Sequence, residues 1–330
     1  MFYQCPKCKK TWNYPIKECP FCFENLIKIK SDEMIVIACS RVNIPTLLHP
    51  KIPYFVFIIE DENKNKYIFK STKERKVGEK ISYDSINNGV AIWRNKYNFE
   101  EPIEKTLKLI NSSIKENSNI LILPTLISSD HEYLRKNTSS GFLNAVLNIV
   151  LQKTKNIKIV GQSFNDTLIE FSVQKSGLLD ICLKQGITPK DLSKKNFIKQ
   201  NDLEISEEAL NSDLIINLPI MKMEKNSATE NIFKLLSKNN YFVLKYLYSE
   251  KLIAEKINKI MGGKILTIAE ADVVQGPDKI NRYLGIVLTS RDYLKLDKVF
   301  NALTMNKNID DISIVGRSIE DVQHNIEKIC

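Results

Sequence analysis

Two Cys-x-x-Cys pairs separated by ten residues, "CPKCKKTWNYPIKECPFC" from Cys5 to Cys22, constrain this chain more than any other feature. Each pair sets two thiolates on one side of a tight loop, and two such loops facing each other give four sulfurs in a tetrahedron. Zinc accepts that geometry because its filled d-shell imposes no other. Soft thiolates also suit iron, so spacing alone leaves zinc and iron both open. Pro6 and Pro20 follow the first Cys of each pair and stiffen the turn by fixing φ and removing an N–H donor. The stretch Lys9 to Glu18 is long enough for one short hairpin, so residues 1–30 are read as a zinc ribbon with Cys5, Cys8, Cys19 and Cys22 as ligands. A saturated four-cysteine site leaves no open coordination position, which makes Zn2+ structural here. The competing disulfide reading needs an oxidising compartment. Met1-Phe2-Tyr3-Gln4 leads straight into the first pair without a secretory signal. The remaining cysteines, Cys39, Cys182 and Cys330, have no partner spacing and read as reduced thiols, so a cytoplasmic setting is expected.

A ribbon accounts for a small part of 330 residues, a length that predicts two or three domains. No apolar run approaches the roughly 18 residues a bilayer span needs, so no membrane association is expected. The net charge of +9 raises nucleic acid as a partner. Only seven of the 48 basic residues are Arg, the side chain suited to bidentate phosphate contacts, and the Lys are spread among acidic residues. The charge therefore reads as composition rather than as a phosphate-binding face. "KSTKERK" at Lys70 to Lys76 is its densest run.

From Met34 to about Tyr83 the pattern is β. "MIVIACSRV", "YFVFIIED", "KYIFKST" and "KVGEKISY" are short runs rich in β-branched and aromatic residues, broken by prolines, "ENKN" and Gly78. Several short strands after a ribbon predict a small OB-type β-barrel over residues 31–83. The polar stretch at 84–89 reads as a linker. Beyond it, over 90–330, strands such as "NILILPTL", "NIKIVGQS", "DLIINLPI" and "KILTIAEAD" alternate with helical patterns such as "GFLNAVLNIVLQK" and "DYLKLDKVFNAL". That alternation predicts a layered α/β domain with a mainly parallel sheet. It contains no Gly-rich phosphate loop and no G-x-S-x-G elbow. The three His residues, His49, His131 and His324, lack metal-ligand spacing.

What remains is polar chemistry beside strands, where open α/β sheets gather ligands. "INLPIMKME" brings Lys222 and Glu224 just past a strand, with Asn231 opening a helix. "IAEADVVQGPD" puts Glu270 and Asp272 at a strand end. "LTSRDYLKLD" puts Ser290 and Asp292 at a helix start, with Asp297 one turn inside. Singly, Ser290 or Asp292 caps a helix and Lys222 is solvated. Together, Lys222, Asn231, Glu270, Ser290, Asp292 and Asp297 form a candidate site for an anionic or metal-bound ligand.

These segments also carry two resemblances. The cysteine spacing, Trp12 to Pro15, "IPYFVFIIED" and "KVGEKISY" resemble domain-of-unknown-function family 35, a rubredoxin-like zinc ribbon followed by an OB fold. That resemblance implies a platform for an acyl-CoA-like ligand or a protein partner, not a catalyst. From about residue 89 onward the ordered segments "VAIWRNKY", "ILILPTL", "KIVGQS", "VQKSGLLDICLKQGI", "SDLIINLPIMKME", "TENIFKLL", "IAEADVVQGP" and "LTSRDYLKLDKVF" resemble domain-of-unknown-function family 362. Against that family's pattern, Leu123 replaces a Lys and Thr125 an Asn. Met223 and Glu224 stand where a His region falls, Glu230 replaces a Lys, and Glu270 replaces an Asp. Ferredoxin-type cysteine clusters, present in some relatives, are missing, so no iron–sulfur cluster of that type is expected. Three functions follow as expectations. The chain binds an anionic metabolite or cofactor in the α/β domain, as an enzyme or otherwise. It is a non-catalytic scaffold. Or it binds nucleic acid through ribbon and barrel, using Tyr54, Phe55, Phe57, Tyr67 or Phe69 for stacking.

Overall fold

The computed structural model describes residues 2–12, 14, 16–29, 34–45, 52–62, 64–71, 74–81, 89–165, 167–261, 263–305, 307, 309 and 312–326. The chain forms two compact units. One comprises Met1–Asp84 and Ile319–Cys330, the other Ser85–Ser318. His49, Cys330 and residues 82–88, which include most of the expected linker, lie outside the described residues.

The first unit holds two small antiparallel sheets. Strands β1 (Phe2–Gln4), β2 (Thr11–Trp12) and β3 (Ile27–Ile29) pair in the order β2-β1-β3. Strands β4 (Met34–Val42), β5 (Tyr54–Asp61), β6 (Lys66–Ser71) and β7 (Lys80–Ile81) pair in the order β6-β5-β4-β7. One cluster in this unit buries Met34, Val36, Phe55, Phe57 and Ile59. Tyr54, Phe55 and Phe57 are all buried, so these three rings pack the interior and present no face for base stacking. The β5–β6 turn is closed by Asp61, whose carboxylate accepts from the backbone N and the Nδ2 of Asn65 at 2.7 and 3.0 Å. Asn65 Oδ1 in turn accepts from Thr11 Oγ1 at 2.7 Å, joining the two sheets.

The second unit runs β8 (Val90–Arg94), α1 (Glu100–Leu109), β9 (Ile120–Pro124), α2 (Ser140–Val150), β10 (Ile157–Gly161), α3 (Ile169–Lys175), α4 (Leu178–Lys184) and β11 (Lys190–Asp191). A hairpin follows, β12 (Phe197–Gln200) and β13 (Leu203–Ser206), then α5 (Glu207–Leu210), β14 (Leu214–Leu218), β15 (Ile220–Lys222), α6 (Ser227–Phe233), α7 (Lys238–Leu247) and α8 (Glu250–Met261). It ends with β16 (Ile265–Gln275), β17 (Asn281–Ser290), α9 (Tyr293–Thr304) and β18 (Ile314–Gly316). A last helix, α10 (Ile319–Ile326), groups with the first unit.

Its sheet has the order β11-β10-β9-β14-β16-β17-β8-β18, with β15 alongside the far end of β16. Strands β11, β10, β9, β14 and β16 are mutually parallel, and β17 is antiparallel to both its neighbours. All five residues of β9 are buried, which is why the central strands read as continuous apolar runs. From β9 the chain moves outward to β10, and from β14 it moves the opposite way to β16. The strand order therefore reverses between β9 and β14, where a doubly wound sheet opens a crevice at its carboxyl ends.

One local reading is corrected. The sequence placed Glu270 and Asp272 at a strand end, but β16 continues to Gln275. Pairing with β17 across an irregularity between Ala271 and Val273, and with β15 on the other edge, satisfies the backbone through that stretch.

Candidate functional site

The four cysteines come together by two copies of one turn. In the first, Lys9 N donates to Cys5 O and Cys5 N to Lys10 O, both at 3.0 Å, and Lys9 adopts a left-handed φ of 60°. In the second, Phe23 N donates to Cys19 O at 2.9 Å and Cys19 N to Glu24 O at 2.8 Å, with φ 58° at Phe23. Each turn aims a backbone N–H at sulfur, from Cys8 to Cys5 Sγ and from Phe21 to Cys19 Sγ, both 3.4 Å. The four sulfurs lie within 4.8 Å of one another, and Cys8 Sγ is 3.7 Å from Cys19 Sγ. Tetrahedral zinc with Zn–S bonds of about 2.3 Å sets its sulfurs roughly 3.8 Å apart, so this donor set fits a metal ion. Cys5 and Cys19 are fully buried, as suits a site that holds a fold together.

In the second unit, short side chains hold backbone in place at the carboxyl ends of the paired strands β9 and β14. Thr125, just past β9, donates its N–H to Thr138 Oγ1 at 2.8 Å and to Leu218 O at 3.2 Å. Thr138 Oγ1 donates to Leu218 O at 2.7 Å, and Thr125 Oγ1 accepts from Ile220 N at 3.3 Å. Asn231, on α6, donates from Nδ2 to Leu123 O at 2.9 Å and to Asn217 Oδ1 at 2.8 Å. These two acceptors fix the amide orientation, and they leave the buried Asn231 Oδ1 without a partner. Gln162, just past β10, donates from Nε2 to Lys234 O at 2.9 Å and to Leu236 O at 2.7 Å. Lys234 is thereby drawn to the carboxyl end of the sheet.

Lys234 has the most unusual environment in this region. It keeps 6% of its surface exposed. Among the described residues no carboxylate stands within ion-pair distance of its amine. Burial pushes its pKa down to about 7, aided by the positive charge of Lys222 and opposed by Glu230. Lys222, at the end of β15 and partly buried, is also lowered by burial, with Glu230 opposing and Lys136 and Lys225 assisting. Two lysines thus share a poorly hydrated region in which Glu230, itself exposed, is the nearby acid.

The other candidate residues are placed as follows. Glu270 is fully buried in β16. Its carboxylate accepts from Arg135 Nη1 at 3.0 Å and from Ser139 N at 2.9 Å. Burial raises it to about 7 against those donors. Asp297, on α9, accepts from Ala228 N at 2.9 Å and Thr229 N at 2.8 Å, capping α6, and burial also raises it to about 7. Ser290 Oγ donates to Gly89 O at 2.7 Å, and Asp292 accepts from Leu294 N and Lys295 N at 3.1 Å as the N-cap of α9. Because β17 is antiparallel to β16, its Ser290 end points away from the carboxyl ends of the parallel strands. The structure thus gathers Lys222, Asn231 and Glu270 toward one end of the sheet. Asp297 supports α6 from behind, and Ser290 and Asp292 close the start of α9.

Sequence reading missed Lys234, Arg135 and Gln162. Lys234 did carry a signal. It sits in "IFKLL", one polar residue in an apolar run, three positions after Asn231 and so on the same helical face.

The buried charges fix a pH response. Glu270 and Asp297 have raised folded-state values, so their contribution is full below about 4.5 and 3.8 and is lost as pH rises through 7. Lys234 has a lowered value, so its contribution is full above 10.5 and is lost as pH falls through 7. Urea unfolding of the ligand-free protein should show its lowest midpoint near neutrality within the window from 4.5 to 10.5. A midpoint that peaks at pH 7 would contradict this arrangement.

No helix among the described residues is long and apolar enough to cross a membrane. None of the curated proteins matches the chain. Among solved structures, one titled "Ltp2-ChsH2(DUF35) aldolase" is similar at 19% identity over 25% of this chain and 70% of that chain, with a TM-score of 0.21. The family model described as Domain of unknown function (DUF362) matches residues 120–301, a span that includes β9, β14, β16, Lys222, Lys234 and Glu270. The match covers more than half of the sequence, and the chain belongs to that family.

Proposed function

We propose that this protein binds an anionic small molecule, a metabolite or cofactor, at the carboxyl ends of β9 and β14. The N-terminal unit, in this reading, is a rubredoxin-like zinc ribbon with an OB-type barrel that serves as a platform for an acyl-CoA-like ligand or a protein partner. The observation that carries the reading is Lys234, a buried amine without a carboxylate partner, beside partly buried Lys222. Burying an unpaired cation is costly, and proteins retain such a group where a ligand supplies the missing charge. The topological switch point is also where an open α/β sheet receives ligands.

Thermal unfolding tests this with inorganic phosphate and citrate at constant ionic strength. Both anions should raise the midpoint of the wild type, and Lys222→Ala should abolish the rise while leaving the fold intact. Lys234→Met should also lose the anion response and, ligand-free at pH 7, gain about 2–4 kcal/mol from removal of the buried amine. Equal responses in wild type and both variants would remove the assignment.

A second reading, a non-catalytic scaffold, draws on a different observation. Asn231, Glu270, Ser290, Asp292 and Asp297 all hold backbone groups of their own chain. Wild-type protein indifferent to every anion would favour it.

A further inference from the structure

Helix α7 carries apolar side chains on two sides. Tyr241 and Leu244 are buried, and Tyr241 packs against Phe164 and Phe233 with ring centroids 4.6 and 5.5 Å away. Phe242, Val243, Tyr246 and Leu247 take the other side, at a spacing that makes one stripe along the helix. They are 50, 56, 90 and 59% exposed. A helix apolar all round is normally buried all round, so this stripe lacks a cover. It is also held firmly. Asn240 Oδ1 accepts from Glu204 N at 3.0 Å, its Nδ2 donates to Asp202 O at 2.9 Å, and Ser237 caps the first turn. The stripe itself holds no charge. Lys245 lies off it, with Nζ turned back to Tyr241 Oη at 3.4 Å and to Glu250 at 3.7 Å. Asn239, a turn before Val243 on the same side, is uncharged. A helix that docks on an anionic bilayer lines its apolar face with free cations, and an acidic or basic partner needs the opposite charge. An uncharged face suits a copy of itself.

We infer that two copies of this chain pair through α7, antiparallel about a two-fold axis. The spacing is self-complementary, as a two-fold contact requires. An axis level with Leu244 and Lys245 sets Phe242 opposite Leu247 of the partner subunit and Val243 opposite Tyr246 of the partner subunit, each pair occurring twice. The four exposed side chains offer on the order of 500 Å² per copy, and a pair buries on the order of 1,000 Å². That is the size at which specific interfaces begin, so the dimer is weak and concentration-dependent. Its centre is aromatic and aliphatic, the composition of an interface core. None of the four stripe residues belongs to the proposed anion site.

Sedimentation equilibrium of the full-length protein, up to about 0.1 mM, tests this. Wild type should pass from monomer to twice that mass with a Kd in roughly the micromolar range. Val243→Glu and Tyr246→Lys should each weaken self-association roughly a hundredfold, because each substitution enters the contact twice. An equimolar mixture of the two variants should dimerise again, since the new carboxylate of one copy then faces the new ammonium of the other. Both positions are exposed, so the far-UV spectrum of each variant should match that of wild type. A wild type that stays monomeric throughout, or variants that dimerise as wild type does, would overturn the pairing. Variants that stay monomeric even when mixed would overturn its antiparallel register. A monomer that sediments with phosphatidylserine vesicles would give the stripe to a bilayer and overturn the dimer as well.

Discussion

Stripping metal from the four-cysteine centre should unfold the segment around residues 2–29 and leave the secondary structure of the unit from Ser85 to Ser318 in place. The three strands there have three, two and three residues, too few to stand as a sheet in water. The buried side chains they and their loops supply include Tyr3, Cys5 and Cys19, so two of these three belong to the cysteine set that could hold a metal ion. Apparent metal-binding free energies for structural zinc run to about 10 kcal/mol or more at pH 7, and in such small modules that energy is the folding energy. Metal content and limited proteolysis, before and after a strong chelator, read the outcome together. Cleavage should appear within the cysteine segment as the metal leaves. Cys19→Ser should reproduce the effect without chelator. A metal-free protein whose cysteine segment stays protected would overturn both the structural role and the proposed zinc.

Asp297→Ala should lower the stability of the second unit by about 2–5 kcal/mol, the largest loss expected from any single polar substitution in it. The carboxylate accepts from Ala228 N and Thr229 N, two of the free donors in the first turn of α6, and all three groups are buried. Removing it strands two buried donors at about 1–3 kcal/mol each. Asp297→Asn should recover part of the loss, since one amide oxygen still accepts while the amide nitrogen faces the other N–H. Urea unfolding at pH 6 measures both. A change below about 0.5 kcal/mol for Asp297→Ala would mean that α6 is held by packing alone. The prediction also bears on the proposed anion site, because α6 carries Asn231 and leads into Lys234.

The polar residues found by sequence illustrate what their spacing does and does not say. Ser290 and Asp292 sit before an apolar helical run, and the cap they predict is the cap observed. Asp297 was grouped with them as a site residue. Its partners lie 68 and 69 positions away on α6, a relation that no local pattern encodes. Glu270 was noticed for its charge, but its burial and its Arg135 partner depend on a loop 135 residues earlier. Lysine in sequence reads as surface, and the burial of Lys234 is set by tertiary packing.

By itself the sequence determined which four cysteines could hold a metal ion, since each Cys-x-x-Cys turn sets its two sulfurs through local backbone. It also determined the alternation of strands and helices beyond residue 89, which follows from hydrophobic period. Only the tertiary structure decided the strand order, the reversal between β9 and β14, and which charges are cut off from water. The physical reason is range. Turn geometry and periodicity act over a few residues, whereas dehydration of a charge depends on everything packed around it. Lys234 is buried in the folded chain, where Gln162, just past β10, holds its carbonyl and the charge of Lys222, at the end of β15, acts on its amine.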